Sequence, residues 1–198
     1  ITLLGSDPIT VAHGSLFTDP GTAVSDNVDN GLVTTVSGTV DTTTVGSYLL
    51  TYQVSDAAGN AATPVTRTVN VTDQTAPVIT LLGNEPMTVA HGSTFTDPGT
   101  AVSDNVDDGL VTTVTGTVDT NTVGSYILTY DVSDAAGNAA TVTRTVNVTD
   151  QTAPVISLQG DHQMTVVLGT SFTDPGATAS DNVDAGLAVS VTGMVDMV

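Results

Sequence analysis

The sequence predicts an all-β protein made of tandem β-sandwiches, and two observations lead to that prediction. Asp19, Asp97 and Asp174 mark one position of a repeat whose period is 78 and then 77 residues. A unit of this length is too long for a solenoid and long enough for a small domain. Within it, short alternating runs of threonine and valine are separated by glycine, proline, aspartate and asparagine, which is typical of a sandwich. Helices are not expected, because β-branched residues dominate without helical periodicity.

The repeat divides the chain into three predicted domains, at residues 1–77, 78–154 and 155–198. The first two copies differ by nine substitutions and one extra residue, Pro64. The third copy ends at Val198, which aligns with Asn121, so only its front half is present. We expect this half to be a piece of a longer protein; alternatively, strands of another chain complete it.

The elements of one repeat are clearest in the second copy. ITLLG and MTVAHG are predicted to form one strand with a kink at 84–86, and STFTDPGTAVSD a strand that bends at Pro98 and Gly99. LVTTVTGTV is predicted to be the next strand. SYILTYDVS and TVTRTVNV then form a hairpin through the turn DAAGN, in which Gly137 supplies a positive φ. The count is about seven strands, close to an immunoglobulin-like domain.

The alternation of the hairpin predicts which side chains face the core. Arg67 and Arg144 share the parity of the core residues, so each is expected to pack on a tyrosine of the neighbouring strand and to pair with a carboxylate. The predicted core residues of the second copy are Tyr126, Leu128, Tyr130, Val132, Val142, Val146 and Val148.

Several motifs in the predicted order, DPGTAVSDNVD, VGSY-x-LTY, SDAAGN and RTVNVTDQTAP, resemble the bacterial immunoglobulin-like repeats of large secreted and surface proteins. Similar modules occur in some crystal-toxin proteins and beside secreted enzymes. The resemblance implies tandem immunoglobulin-like β-sandwiches of about seven strands each, arranged end to end. It leaves the role open, because such repeats serve in adhesins, stalks and enzyme appendages alike.

The charge balance narrows the partners. Two arginines and no lysine oppose 21 acidic residues, which gives a formal net charge of −19. Nucleic acids and anionic membranes both require cationic surfaces, so neither is an expected partner. No run of 18 apolar residues predicts membrane insertion. Together with the resemblance, the charge predicts an extracellular or bacterial cell-surface location, where cations are abundant.

The acidic residues are predicted to gather at one pole of each sandwich. Tracing the strands brings the SDNVDDGL loop, the DAAGN turn and the incoming TDQTAP linker together there. Oxygen ligands without His or Cys suit Ca²⁺, and the arrangement resembles cadherin-like modules, where calcium stiffens module junctions. The alternative is that Asp and Asn serve only as turn formers. The predicted ligands are Asp26, Asp29, Asp56, Asn60, Asp73, Thr75, Asp104, Asn105, Asp107, Asp134, Asn138, Asp150, Asp181, Asn182 and Asp184.

No catalytic motif accompanies these carboxylates, so enzyme activity is not expected. His13 and His91 occupy one repeat position at which the third copy has Leu168, and we expect them to end strands. The predicted role is a calcium-stiffened stalk of a surface or secreted adhesin or fibre, whose partners are its own adjacent repeats. Two alternatives are a filament subunit completed by strands of a neighbouring like chain, and an accessory module of a secreted enzyme that binds a surface glycan or protein.

Overall fold

A computed structural model of the chain describes residues 1–196, in which β-strands are the regular elements and no α-helix occurs. The predicted all-β class is confirmed. Over the same residues no helix is long and apolar enough to cross a membrane. The strands are β1 Thr2–Leu3, β2 Ile9–Ala12, β3 Thr22–Ala23, β4 Thr35–Ser37, β5 Gly46–Gln53, β6 Val65–Thr72, β7 Val78–Leu81, β8 Met87–Ala90, β9 Thr100–Ser103, β10 Thr113–Thr115, β11 Gly124–Ser133, β12 Ala139–Thr149, β13 Val155–Leu158 and β14 Ala177–Ser180.

Two compact units make up the chain. The first combines Ile1–Leu82, Gly99–Val114 and Tyr130–Val142, and the second combines Gly83–Pro98, Thr115–Thr129 and the residues from Thr143 onward. Each unit includes part of the second predicted repeat. The repeat boundaries therefore stay a prediction, and the last two residues of the third repeat lie outside the described residues.

The first repeat, in the first unit, forms two sheets. The strands β1 and β3 pair antiparallel, and the other four strands follow the order β2–β6–β5–β4. In that larger sheet β5 and β6 form an antiparallel hairpin, while β2 pairs parallel with β6. The predicted single kinked strand is therefore two strands in different sheets, because residues 4–8 carry the chain from one sheet to the other.

The core of this repeat lies between its two sheets. Val11, Leu50, Tyr52 and Val69 are buried, and residues of β1 pack against them. The alternation of β5 and β6 follows the predicted parity, since every second side chain of each strand is buried. The hairpin thus supplies most of the core, and β1 and β3 cover it.

The second repeat repeats this strand order, with β10–β11–β12–β8 in one sheet and β7–β9 in the other. The DAAGN turn is confirmed as a tight turn, in which Asp134 N–H donates to the Asn138 carbonyl and Gly137 has a φ of 92°. The predicted strand over STFTDPGTAVSD is a strand only from Thr100 to Ser103, because Pro98 has no N–H to donate and Gly99 turns the chain with a φ of 77°. This shortening leaves six strands in each of the first two repeats, against about seven expected.

A buried arginine joins the two sheets of the first repeat. The Arg67 side chain is fully buried and donates to the Leu4 and Gly21 carbonyls at 2.5 and 3.2 Å. Its guanidinium lies 3.6 Å from Asp19 and 5.9 Å from the ring centroid of Tyr52. The predicted pairing of this arginine with a tyrosine and a carboxylate is confirmed, and in the second unit Arg144 pairs with an aspartate in the same way.

Candidate metal centre at the repeat junctions

The larger group of carboxylates, the Asp73 cluster, consists of Asp73, Asp104, Asp107 and Asp134 in the first unit. Each of these residues offers one oxygen, and the four oxygens lie within 4.8 Å of one another. Asp73 follows directly after β6, whereas the other three belong to loops of the second repeat. The predicted meeting of linker and loops is therefore present for these four residues.

The loops that carry these carboxylates are held by their own hydrogen bonds. Asp104 Oδ2 accepts from the N–H groups of Val106 and Asp107 at 2.9 and 3.0 Å, which forms an aspartate turn. Asp107 Oδ2 accepts from Ala135 N–H at 2.9 Å and so joins the SDNVDDGL loop to the DAAGN turn. The backbone thus brings the two loops together before any ligand is considered.

The linker carboxylate is the most deeply buried member of the cluster. Only 7% of Asp73 is exposed, and its Oδ1 accepts from Thr75 N–H at 3.1 Å. Its other oxygen, Oδ2, is buried without a hydrogen-bond partner, and so is Oδ1 of Asp104. A buried anionic oxygen without a donor is costly unless a cation compensates it. These two oxygens point to a missing positive charge.

Hydrogen bonds keep Asp134 ionised in this position. Burial raises the pKa of its carboxyl, but the side-chain and backbone N–H groups of Asn138 outweigh burial and hold the pKa below its usual range. An acidic group with a low pKa is a carboxylate at neutral pH. Since the cluster offers only oxygen atoms and no His or Cys, it fits a hard cation such as Ca²⁺.

A smaller group, the Asp150 cluster, lies in the second unit and contains Asp150, Asp181 and Asp184. Their ligand oxygens also lie within 4.8 Å of one another. Asp181 Oδ1 is buried without a hydrogen-bond partner, like its counterpart Asp104. The N–H of Val183 holds the pKa of Asp181 below its usual value. The same arrangement therefore occurs twice in the chain.

The predicted ligands of the first repeat are placed by local hydrogen bonds. Asp26 accepts from two N–H groups of its own turn, Asp29 accepts from Ala57 N–H at 3.0 Å, and Asp56 accepts from both nitrogens of Asn60. Their role as ligands stays a prediction. The same holds for the other predicted ligands that lie outside the two clusters, which are Thr75, Asn105, Asn138 and Asn182.

Two histidines contact the loop of the following repeat, a role that sequence reasoning missed. In the first unit, His13 Nε2 lies 2.8 Å from the Thr43 carbonyl, and His13 Nδ1 lies 3.2 Å from Asn105 Nδ2. Since a carbonyl only accepts, Nε2 is the protonated nitrogen, and Nδ1 accepts from the asparagine amide. His91 in the second unit has the same contacts with the Asn121 carbonyl and the Asn182 amide. The signal in the sequence is that histidine occupies this position in the two repeats that another repeat follows.

Comparison with known proteins identifies the family. The model of the immunoglobulin-like domain of bacterial surface proteins matches residues 1–71, 79–148 and 156–198. The chain is 33% identical to hyalin of Strongylocentrotus purpuratus, over 88% of the chain and 15% of hyalin, and 33% identical to hyalin of Lytechinus variegatus, over 84% and 34%. It is 31% identical to the serine-rich adhesin for platelets of Staphylococcus aureus, over 67% of the chain and 11% of the adhesin. The chain thus spans about a third or less of these curated relatives. The three successive matches show that it belongs to the immunoglobulin-like domain family of bacterial surface proteins.

Proposed function

We propose that this chain is a non-catalytic spacer segment of a surface or secreted bacterial protein, in which Ca²⁺ bound by the acidic clusters fixes successive repeats. The family and the similarity to a staphylococcal adhesin support a surface-protein module at the cell surface or outside the cell. Repetition of one module extends the reach of whatever the complete protein carries, without requiring a reactive site in each copy.

The observation that carries the calcium part is the buried Oδ2 of Asp73, which has no hydrogen-bond partner. The carboxylate sits on the linker, but the other members of its cluster are loop residues of the second repeat. Without a cation, these charges repel one another and favour separation of linker and loops. A bound divalent ion reverses the sign of that interaction and holds the linker against the loops.

A thermal unfolding experiment tests the site. The full chain is melted in EDTA, in millimolar Ca²⁺ and in millimolar Mg²⁺. Extracellular calcium modules have Kd values on the order of 10⁻⁴–10⁻³ M, and a ligand at 100 times its Kd adds about 2.7 kcal/mol. We expect a calcium-selective rise of several degrees in Tm.

The variant Asp73→Asn gives this experiment a change of sign. Asparagine retains an oxygen that accepts from Thr75 N–H, but it removes one charge from the cluster. We expect the variant to be at least as stable as the parent chain in EDTA and less stable in Ca²⁺. Asp26→Asn is the matched control, because the loop of Asp26 corresponds to that of Asp104 but belongs to the first repeat. Equal calcium responses of Asp73→Asn and the parent chain would exclude the site.

Stiffening has its own measurement. The chain has no cysteine, so Leu16→Cys and Val111→Cys provide two unique spin-label sites. These side chains are 92% and 80% exposed, and they belong to the first and second repeats. We expect Ca²⁺ to narrow the distance distribution between the labels in electron resonance. A calcium-dependent Tm with an unchanged distribution would support binding but reject stiffening.

A further inference from the structure

The third repeat presents an apolar sheet face that is covered in the first repeat. Ile156 and Leu158 of β13 are each 62% exposed. Their counterparts Ile1 and Leu3 pack against the core that the β5–β6 hairpin builds. Among the described residues of the third repeat, no hairpin corresponds to β5–β6, since β13 and β14 are the strands found there. The face is therefore the acceptor half of a sandwich.

The polar groups that receive the hairpin are also retained. In the first repeat, Arg67 of β6 donates to the Leu4 and Gly21 carbonyls and pairs with Asp19. The carbonyl frame is held by Leu4 N–H donating to the Gly21 carbonyl at 3.0 Å. The third repeat has the same frame, in which Gln159 N–H donates to the Gly176 carbonyl at 2.8 Å.

The counter-charge is present as well, because Asp174 stands at the position of Asp19. Asp174 keeps the bend hydrogen bond from Gly176 N–H at 2.9 Å. The sequence contains two arginines, and both are paired with the corresponding aspartates of the first two repeats. The third repeat thus has a place for an arginine that this chain does not supply.

An edge segment of the third repeat points to the same missing partner. In the first two repeats, β2 and β8 are held by parallel pairing with the second strand of the hairpin. The corresponding residues 164–167 have a similar sequence, Met-Thr-Val-Val, but they form no strand. The simplest reason is that a strand of this kind forms only when the hairpin offers its hydrogen-bonding edge.

We propose that the face made by β13, β14 and residues 164–167 is a docking site for a β-hairpin supplied by another polypeptide of this family. The hairpin carries alternating tyrosines on its first strand and the pattern Arg-x-Val-x-Val on its second. A second copy of this chain does not qualify, because Arg67 and Arg144 are already fully buried in their own repeats. The proposal goes beyond the spacer function and does not depend on calcium.

A binding experiment with the full chain tests this site. The probe is a fluorescent synthetic peptide with the sequence of residues 123–149, and binding is followed by anisotropy. We expect saturable 1:1 binding that weakens at least about tenfold when the peptide carries Arg144→Met or the chain carries Asp174→Asn. The two changes together should weaken binding little further, since either one removes the same ion pair. Hydrogen exchange should slow at 156–158 and 164–167.

Three outcomes would overturn the proposal. The first is absence of saturable binding, and the second is binding that neither substitution weakens, which indicates apolar adhesion alone. The third is protection of the chain by self-association in sedimentation, with no effect of the peptide, which would assign the face to a second copy. The peptide variant keeps the test decisive even if Asp174→Asn disturbs the third repeat.

Discussion

The buried arginine of the first repeat allows a quantitative prediction for Asp19→Asn. The substitution keeps an oxygen for the Gly21 N–H and the Tyr52 hydroxyl, but it removes the counter-charge of Arg67. At 3.6 Å the pair interacts with about 4.6 kcal/mol at an effective permittivity of about 20. The Asp19 side chain is 24% exposed, so solvent screens part of this energy. We expect a loss of about 3 kcal/mol, at the lower end for breaking a buried pair.

Differential scanning calorimetry of the full chain measures this loss. For a domain of 60–100 residues, about 1 kcal/mol lowers Tm by about 4–8 °C, so the first repeat should melt roughly 12–24 °C earlier. The second repeat retains Asp97 with Arg144 and serves as an internal reference. The double variant Asp19→Asn/Arg67→Met should recover much of the stability, because no buried charge remains.

The reasoning would be refuted by a loss below about 1 kcal/mol, since the carbonyls of Leu4 and Gly21 would then suffice to hold the charge. It would also be refuted if the double variant were less stable than Asp19→Asn. A matched control is Asp174→Asn, which should change stability by less than about 0.5 kcal/mol because no arginine pairs with it in this chain.

Three further perturbations follow from the same structure. Burial raises the pKa of Tyr52 to about 12, so the folded state holds this proton more tightly than the unfolded chain, and stability should fall as the pH rises from about 10 to 12. Tyr52→Phe should reduce that decline in urea titrations. Gly38→Ala should lower the Tm of the first repeat, because φ is 99° and the new methyl group would overlap the Leu49 carbonyl oxygen. His13→Leu should cost about 1 kcal/mol of junction stability and broaden the distances between labels at Leu16→Cys and Val111→Cys.

Each of these predictions has a result that contradicts it. An alkaline decline of the same size in Tyr52→Phe would assign the effect to other groups. Gly31→Ala separates crowding from φ, because Gly31 also has a positive φ of 74° but open space around its Cβ position; an equal loss in both alanine variants would reject the overlap. An unchanged label distribution in His13→Leu would mean that the contact with Asn105 does not order the junction.

The sequence by itself determined much of this protein. The period of the repeat, the hairpin and its DAAGN turn follow from local alternation and turn chemistry. Even the partners of Arg67 were predictable in kind, because its parity placed it inside a sandwich that offers tyrosine and aspartate at repeated positions. Periodicity sets the face of each side chain, and the face sets its surroundings.

Tertiary structure decided what local patterns do not encode. The strand ladder over STFTDPGTAVSD is interrupted, and the histidine contact joins residues 92 positions apart, His13 and Asn105. The burial of Asp73 and its unpartnered oxygen likewise depend on loops that approach from the second repeat. Which oxygen keeps a donor is a matter of three-dimensional distance, because a hydrogen bond acts over about 3 Å whatever the separation in sequence.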